Sequence, residues 1–568
     1  MLKDYFEVPN KPAIKSGNIL SCDFTDHETF IPQPLDYSRG TLATYVDCNG
    51  LIKMSGVSDT ELVTNGDFSN GSTDWINTDG SATFINNYVK IQSQGSTLNR
   101  IRQIDVTQVG KTFKLSYEII ENNNVSEFKY YNGTAYVTIT STVGTHTLYF
   151  VAGNNDDLFF NVADTNTDDY IIIDNVSVRE VDIETPRIDY LTEIGKAKEL
   201  QKPSLLLEPQ STNKLTKSEE FSNSYWAKSN CTVQRSTITS PDGLQGSYKL
   251  IPDAGTGGNR SLGKNFTGLS NDHTWSIFAR AGEYKYAILR TRNNPIVVVS
   301  FDLENGTFNV NQSTAMYIAD SAKMENYGNG WYRCSITLDP SQADSVGQLY
   351  PSVSVGITGN EINSFDGDGV SGIYVFGAQF EEQSYSTSYI PTSESTVTRN
   401  QDLANNAGQL GVFNMNEGTM FLEFEILGGK DPNQTSIAIS GAASNNRLLF
   451  FRGGNNANYQ IQLKQNASNV YNAACGTVRD DAIGKFVKVA WRFVSGNGSV
   501  YTNGVKTSTS ATDTATYPDF PTITTQKFAF TISATANSNV FYGRIRQVKV
   551  FRRGLTDSEL QELTNNIV

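Results

Sequence analysis

Apolar and polar residues alternate with a period of two along much of this chain, and no other feature constrains its fold as strongly. In Phe113-Lys-Leu-Ser-Tyr-Glu-Ile119 the odd positions are apolar and the even ones polar. Met420, Leu422, Phe424 and Ile426 share one face of a second run, and Val487, Val489, Trp491 and Phe493 one face of a third. Successive side chains of a strand point to opposite faces, so each run reads as a strand with one buried and one wetter face. Glu423 and Glu425 are expected on the wetter face. Asn-Gly pairs at Asn49-Gly50, Asn132-Gly133, Asn305-Gly306, Asn329-Gly330 and Asn503-Gly504 supply the backbone freedom that tight hairpin turns need. The expected fold class is all-β: a multi-domain string of antiparallel β-sandwiches with few short helices. One helix is clearly signalled. Thr556 and Glu559 have capping-box spacing and Leu555 and Leu560 can staple it, which predicts a helix over about 557–565.

The chain has 568 residues, enough for about three to five domains. Charged residues make up 18% and aromatics 11%, a balance that supports packed cores rather than disorder. The net charge of −14 repels phosphate backbones, and the longest basic run is Arg552-Arg553, so no nucleic-acid partner is expected. The N-terminal MLKDYFEVPN stretch lacks an apolar segment after a basic start, so no secretory signal is expected, and no run is long enough for a membrane helix. The five cysteines, Cys22, Cys48, Cys231, Cys334 and Cys475, are far apart and odd in number, as expected of free thiols in a protein assembled in a reducing cytoplasm.

A weak repeat runs through the first two thirds. Leu62-Val-Thr-Asn-Gly-Asp-Phe-Ser-Asn70 leads to Trp75, and Leu215-Thr-Lys-Ser-Glu-Glu-Phe-Ser-Asn223 leads to Trp226. Each copy ends on an apolar strand, Tyr170-Ile-Ile-Ile-Asp-Asn-Val176 and Gly372-Ile-Tyr-Val-Phe-Gly-Ala378. Two copies of one module point to presented surfaces rather than one active centre.

With Asn65-Gly-Asp-Phe68, Trp75 and Ile173-Asp-Asn-Val176, the first copy resembles the carbohydrate-binding-module-like jelly rolls of polysaccharide-degrading enzymes and phage proteins. That resemblance implies a structural calcium bracketed by the first and last strands, with Asp67 and Asp174 as ligands. The second copy resembles a module of tailed-phage fibre-like structural proteins, through Leu205-Leu-Leu-Glu-Pro-Gln210, Gly328-Asn-Gly-Trp-Tyr-Arg333, Gly372-Ile-Tyr-Val-Phe-Gly-Ala-Gln-Phe-Glu-Glu382, Tyr385-Ser-Thr-Ser-Tyr-Ile-Pro-Thr392 and Thr396-Val-Thr-Arg399. The lead-in of that family is similar to Tyr37-Ser-Arg-Gly-Thr-Leu-Ala-Thr-Tyr-Val-Asp47 and normally continues at once into a stretch like Pro186-Arg-Ile-Asp-Tyr190, so the first jelly roll looks inserted, and residues 37–53 and 186–210 are expected to touch. The C-terminal part resembles laminin-G/concanavalin-type sandwiches, through Gly418-Thr-Met-Phe-Leu-Glu-Phe424, Val500-Tyr-Thr-Asn-Gly-Val505 and Gly543-Arg-Ile-Arg-Gln-Val-Lys-Val-Phe551. The expected organisation is a virion-docking segment (1–36), a lead-in (37–59) continuing at 183–210, an inserted jelly roll (60–182), a second jelly roll (211–400) and a laminin-G/concanavalin-like sandwich (405–568).

Catalytic patterns are missing from the sequence. The three histidines, His27, His146 and His273, are isolated, and the Glu-x-Asp-x-x-Glu pattern of concanavalin-like glucanases does not occur in 405–568. Phe365-Asp-Gly-Asp-Gly369 reads as a turn before it reads as an ion site. Exposed aromatic faces beside amides and carboxylates are what sugars dock on. Tyr130, Tyr131 and Tyr136, around the Asn132-Gly133 hairpin, are therefore candidate glycan-binding residues, with Trp75. The expectation is a non-enzymatic bacteriophage virion protein, a fibre or decoration component present in many copies or as a homo-oligomer, bound to other virion proteins and to host-surface or environmental glycans. A purely structural virion component is the alternative, and a polysaccharide depolymerase ranks behind both.

Overall fold

The computed structural model of the protein describes residues 18–23, 29–30, 36–77, 79–85, 87–154, 156–255, 258, 260–359, 365–407, 416–428, 436–440, 445–452, 459–475, 483–517, 527–531 and 539–565. These residues form two compact units, residues 54–183 and residues 1–53 with 184–568. Strands dominate both, and the helices described are short. Among the described residues no helix is long and apolar enough to cross a membrane.

Residues 54–183 make an antiparallel sandwich of two five-stranded sheets. One runs in the order Gly144–Val151, Thr112–Asn123, Tyr170–Val181, Tyr88–Gln92, Ala82–Ile85; the other in the order Tyr136–Thr138, Phe128–Tyr131, Leu158–Val162, Asn99–Gln103, Ile76–Asn77. The alternating run places Phe113, Leu115, Tyr117 and Ile119 in one core with Ile101, Phe128 and Phe160 of the facing sheet. The two ends of the segment lie together: Val57 bridges Val181, and the Val176 amide donates to the Gly66 carbonyl at 2.9 Å. A Cβ on Gly66 would sit 1.9 Å from the Val176 carbonyl oxygen, so the close approach requires glycine there.

In the other unit, two six-stranded antiparallel sheets enclose a core that includes Trp226, Trp275, Ile277, Leu289 and Phe380. A further sandwich packs the strands Glu417–Glu425, Val487–Val494 and Gly543–Phe551 of a nine-stranded sheet against a five-stranded one. Its core contains Met420, Leu422, Phe424, Phe450 and Trp491 together with Leu205 and Leu207 of the strand Ser204–Leu207. The helix Asp557–Thr564 carries the capping box of Thr556 and Glu559, and Leu555 and Leu560 share an apolar cluster beneath it. The strand Asn18–Asp23 pairs antiparallel with Gly543–Phe551. Apart from Asn18–Asp23, Thr29–Phe30 and Asp36, the expected docking segment 1–36 lies outside the described residues.

The lead-in and the stretch after residue 183 meet through hydrogen bonds: the Val46 amide donates to Asp189 Oδ2 at 3.0 Å, and the Tyr190 amide donates to the Val46 carbonyl at 2.9 Å. Beside them, residues from five of the fibre-like stretches converge on one buried cluster. Arg187 Nη1 donates to Glu208 Oε2 at 2.6 Å, to Ser388 Oγ at 2.7 Å and to the Thr44 carbonyl at 3.0 Å. Arg187 also pairs with Asp402, which Arg39 reaches at 3.3 Å, and Arg399 lies 3.5 Å from Glu208. The motifs thus hold an internal ion cluster that ties three chain segments together.

The expectation for one strand face fails. Glu423 and Glu425 are not solvated but buried, at 8% and 4% exposure. Glu425 lies 3.4 Å from Arg544 and Glu423 3.6 Å from Arg546. A buried carboxylate persists where a cation compensates it, so an alternating pattern marks two faces without showing which one meets water.

Candidate functional site

Strand register in residues 54–183 decides which side chains share the outer face of the second sheet. Tyr136 pairs with Tyr131, Tyr131 with Phe159, Phe159 with Arg102, and Arg102 with Ile76. Lys129, Asn161 and Arg100 form the adjacent cross-strand row. Directly paired residues point to the same face, so aromatic rings and basic groups stand side by side on one surface. The hairpin geometry is set by Asn132, whose side chain accepts from the Thr134 and Ala135 amides, both at 2.9 Å. Gly153 and Asn154 donate to the carbonyls of Asn132 and Gly133, docking the turn.

The rings are close but not coplanar. Tyr131 lies 5.1 Å from Tyr136 and 5.5 Å from Phe159, with interplanar angles of 50° and 82°. The guanidinium carbons of Arg102 and Arg100 lie 5.7 Å and 6.0 Å from the Phe159 centroid, within cation–π range. Arg100 Nη1 donates to the Tyr136 hydroxyl at 3.1 Å. Tyr131, Tyr136, Arg100, Arg102 and Lys129 are half-buried, with part of each surface open, whereas Phe159 and Asn161 between them are buried. Such a face offers apolar ring surface and hydrogen-bonding groups together, the combination that a pyranose, apolar on its faces and polar at its edges, requires.

Of the sequence-expected glycan residues, the structure brings Tyr131 and Tyr136 together here and takes the other two away. Tyr130 is 4% exposed and packs edge-on against Phe150 at 5.2 Å, because Phe128 and Tyr130 occupy the inward positions of Phe128–Tyr131. Burial pushes its phenol up to about 12. Trp75 is 5% exposed, stacks beside Phe68, and donates from Nε1 to the Asn65 carbonyl at 3.0 Å. Neither presents a ring to a ligand. Sequence reasoning missed Arg100, Arg102 and Phe159. The alternation in Asn99-Arg-Ile-Arg-Gln103 places both arginines on one face, but only the strand order sets them beside the tyrosines.

The metal expectation divides between two places. Asp67 Oδ1 accepts from the Ser69 amide and hydroxyl at 3.2 Å and 2.9 Å, the arrangement of a turn residue. The Asp174 carboxyl is raised by burial and by the charges of Glu118 and Asp67, against the opposing hydrogen bond from the Asn175 amide. Among the described residues, the acidic group whose oxygens gather within 4.8 Å is Asp105, Asp156 and Asp157, an all-oxygen set able to coordinate a divalent cation. Asp157 also pairs with Arg102 at 3.1 Å. In the 365–369 loop, Asp368 accepts from the Val370 and Ser371 amides and the Ser371 hydroxyl, which makes it a turn residue.

Residues 404–561 match the family model of the Concanavalin A-like lectin/glucanases superfamily. The C-terminal sandwich is thus laminin-G/concanavalin-like. No curated protein matches the sequence. Among solved structures, the chain is similar to the CBM40 module of the Ruminococcus gnavus IT-sialidase bound to α2,3-sialyllactose, at 16% identity and a TM-score of 0.22, covering 28% of this chain and 84% of that one. It is similar to domain 4 of a GH43 extracellular arabinanase from Geobacillus stearothermophilus in complex with arabinotriose, at 17% identity and a TM-score of 0.23, covering 32% and 82%. It is also similar to domains LG4-5 of the mouse laminin α1 chain, at 10% identity and a TM-score of 0.19, covering 51% and 86%.

Proposed function

We propose that this protein is a non-catalytic adhesion component of a bacteriophage particle, a fibre or decoration element, whose 54–183 sandwich binds glycans of the host surface or the environment. The observation that supports glycan binding is the half-open pair Tyr131 and Tyr136, packed on the buried Phe159 ring and flanked by Arg100 and Arg102. Single-site affinity at an open sheet face is low, and many copies on one particle convert it into avidity. The particle setting rests on the likeness of residues 205–399 and their lead-in to fibre modules. The buried cluster around Arg187 gives Arg187, Glu208, Ser388 and Arg399 of those stretches a structural role. A structural calcium, at Asp67 and Asp174 or at Asp105, Asp156 and Asp157, belongs to the same reading as a pin on the sandwich edges.

The test is a glycan array probed with the full chain, coupled to immunolocalisation on purified particles. Binding that Tyr131→Ala and Tyr136→Ala abolish supports the adhesion reading. Folded protein that binds no glycan at any density leaves the purely structural component, and release of reducing sugar from host polysaccharide would restore the depolymerase.

A further inference from the structure

From the charge arrangement on this face we infer that its ligand is a neutral, soluble glycan chain, neither an acidic sugar nor a crystalline sugar surface. The inference rests on the glycan-binding reading above and specifies its substrate class. Every cation on the face stands against its own carboxylate: Arg102 lies 3.1 Å from Asp157, Lys129 2.5 Å from Glu127, and Arg100 3.7 Å from Asp79. The formal charge of these six groups cancels. An acidic sugar would bring its carboxylate among three others with no surplus cation to receive it, on a chain whose net charge is already −14. A neutral hydroxyl, by contrast, both donates and accepts. Paired guanidinium and carboxylate groups offer it an acceptor and a donor side by side, and hydrogen bonds to charged groups are the stronger kind.

Ring geometry sets the second half. The planes of Tyr131 and Tyr136 meet at 50°, and Phe159 stands at 82° and 76° to them. Phe159 is buried, and the two half-open rings, Tyr131 and Tyr136, are not coplanar, so a flat array of packed sugar chains cannot rest on them together. A single chain can place one sugar face on one ring and turn its edge toward the charged pairs.

The experiment measures binding of the full-length protein to neutral hexose oligosaccharides, oligogalacturonate and microcrystalline cellulose, at low and high sodium chloride. Expected are binding to at least one neutral oligosaccharide, loss of about tenfold or more in Tyr131→Ala, and a change of less than about twofold between the salt conditions, since a neutral ligand has no long-range charge to screen. Asp157→Asn, which leaves Arg102 uncompensated, is expected to raise affinity for oligogalacturonate. Preference of the wild type for oligogalacturonate, or steep loss of binding with salt, would overturn the neutral-ligand inference while leaving the face as a glycan site. Binding to cellulose alone would overturn the single-chain inference in the same way. Folded protein that binds none of the probes, or binding untouched by Tyr131→Ala, overturns both the inference and the reading beneath it.

Discussion

Phe68 and Trp75 lie ring beside ring, 5.2 Å between centroids at 42°, and the second copy of the repeat reproduces the pair in Phe221 and Trp226, at 5.2 Å and 48°. The indole of each tryptophan donates to a backbone carbonyl near the start of its module, Asn65 for Trp75 and Lys217 for Trp226. The repeat is thus a packing unit that contributes to the core of each sandwich.

Trp75→Ala is therefore expected to destabilise the 54–183 sandwich by about 3–5 kcal/mol, the usual range for emptying a buried aromatic site. Tyr131→Ala, at the half-open face, should cost about 1 kcal/mol or less and act on binding instead. Urea denaturation of both variants beside a glycan-binding assay separates the roles. A stable Trp75→Ala protein that has lost binding would reverse the assignment.

Gly66→Ala should weaken the same sandwich by about 1–3 kcal/mol, since the added methyl meets the Val176 carbonyl oxygen and must push apart a backbone hydrogen bond. A melting temperature equal to wild type would show that the strand ends part easily.

Arg187→Ala removes one of the two cations that Glu208 and Asp402 share, leaving Arg399 at 3.5 Å and 3.8 Å. Removing one partner of a buried pair costs about 3–5 kcal/mol. Near-UV circular dichroism during urea titration is expected to show this loss.

Acid should release the same cluster. Burial alone would raise the Glu208 and Asp402 carboxyls, but Arg399 and Arg187 outweigh it and hold both below the ordinary carboxylate range. A depressed folded pKa adds stability above the unfolded value of about 4 and loses it as pH falls toward the folded value. Stability measured by denaturant should fall below about pH 4 as these carboxylates are protonated. A fall that begins near neutrality would point to other groups.

Calcium addition tests the oxygen clusters. Two of the three aspartates at Asp105, Asp156 and Asp157 are exposed and the third already pairs with Arg102, so binding should be weak. A modest rise in melting temperature at millimolar calcium, reversed by chelator and lost in Asp156→Asn, is expected by linkage. A rise lost in Asp67→Ala instead would place the ion at Asp67 and Asp174, and no rise would remove both.

Local rules already determine much of this protein in its sequence. The alternation of Phe113 to Ile119 specifies a strand and its buried face, and Thr556 with Glu559 specifies a helix start, because strand period and capping involve only near neighbours. The hairpin that joins Tyr131 to Tyr136 is local in the same sense. What lies across a sheet is not local. Arg102 stands beside Phe159 and Tyr131 only because Asn99–Gln103 pairs with Leu158–Val162 and that strand with Phe128–Tyr131. Glu425 is buried only because Arg544 comes to it from more than a hundred residues away. Strand order and register belong to the whole chain, and they decided whether a polar face meets water and which side chains share it.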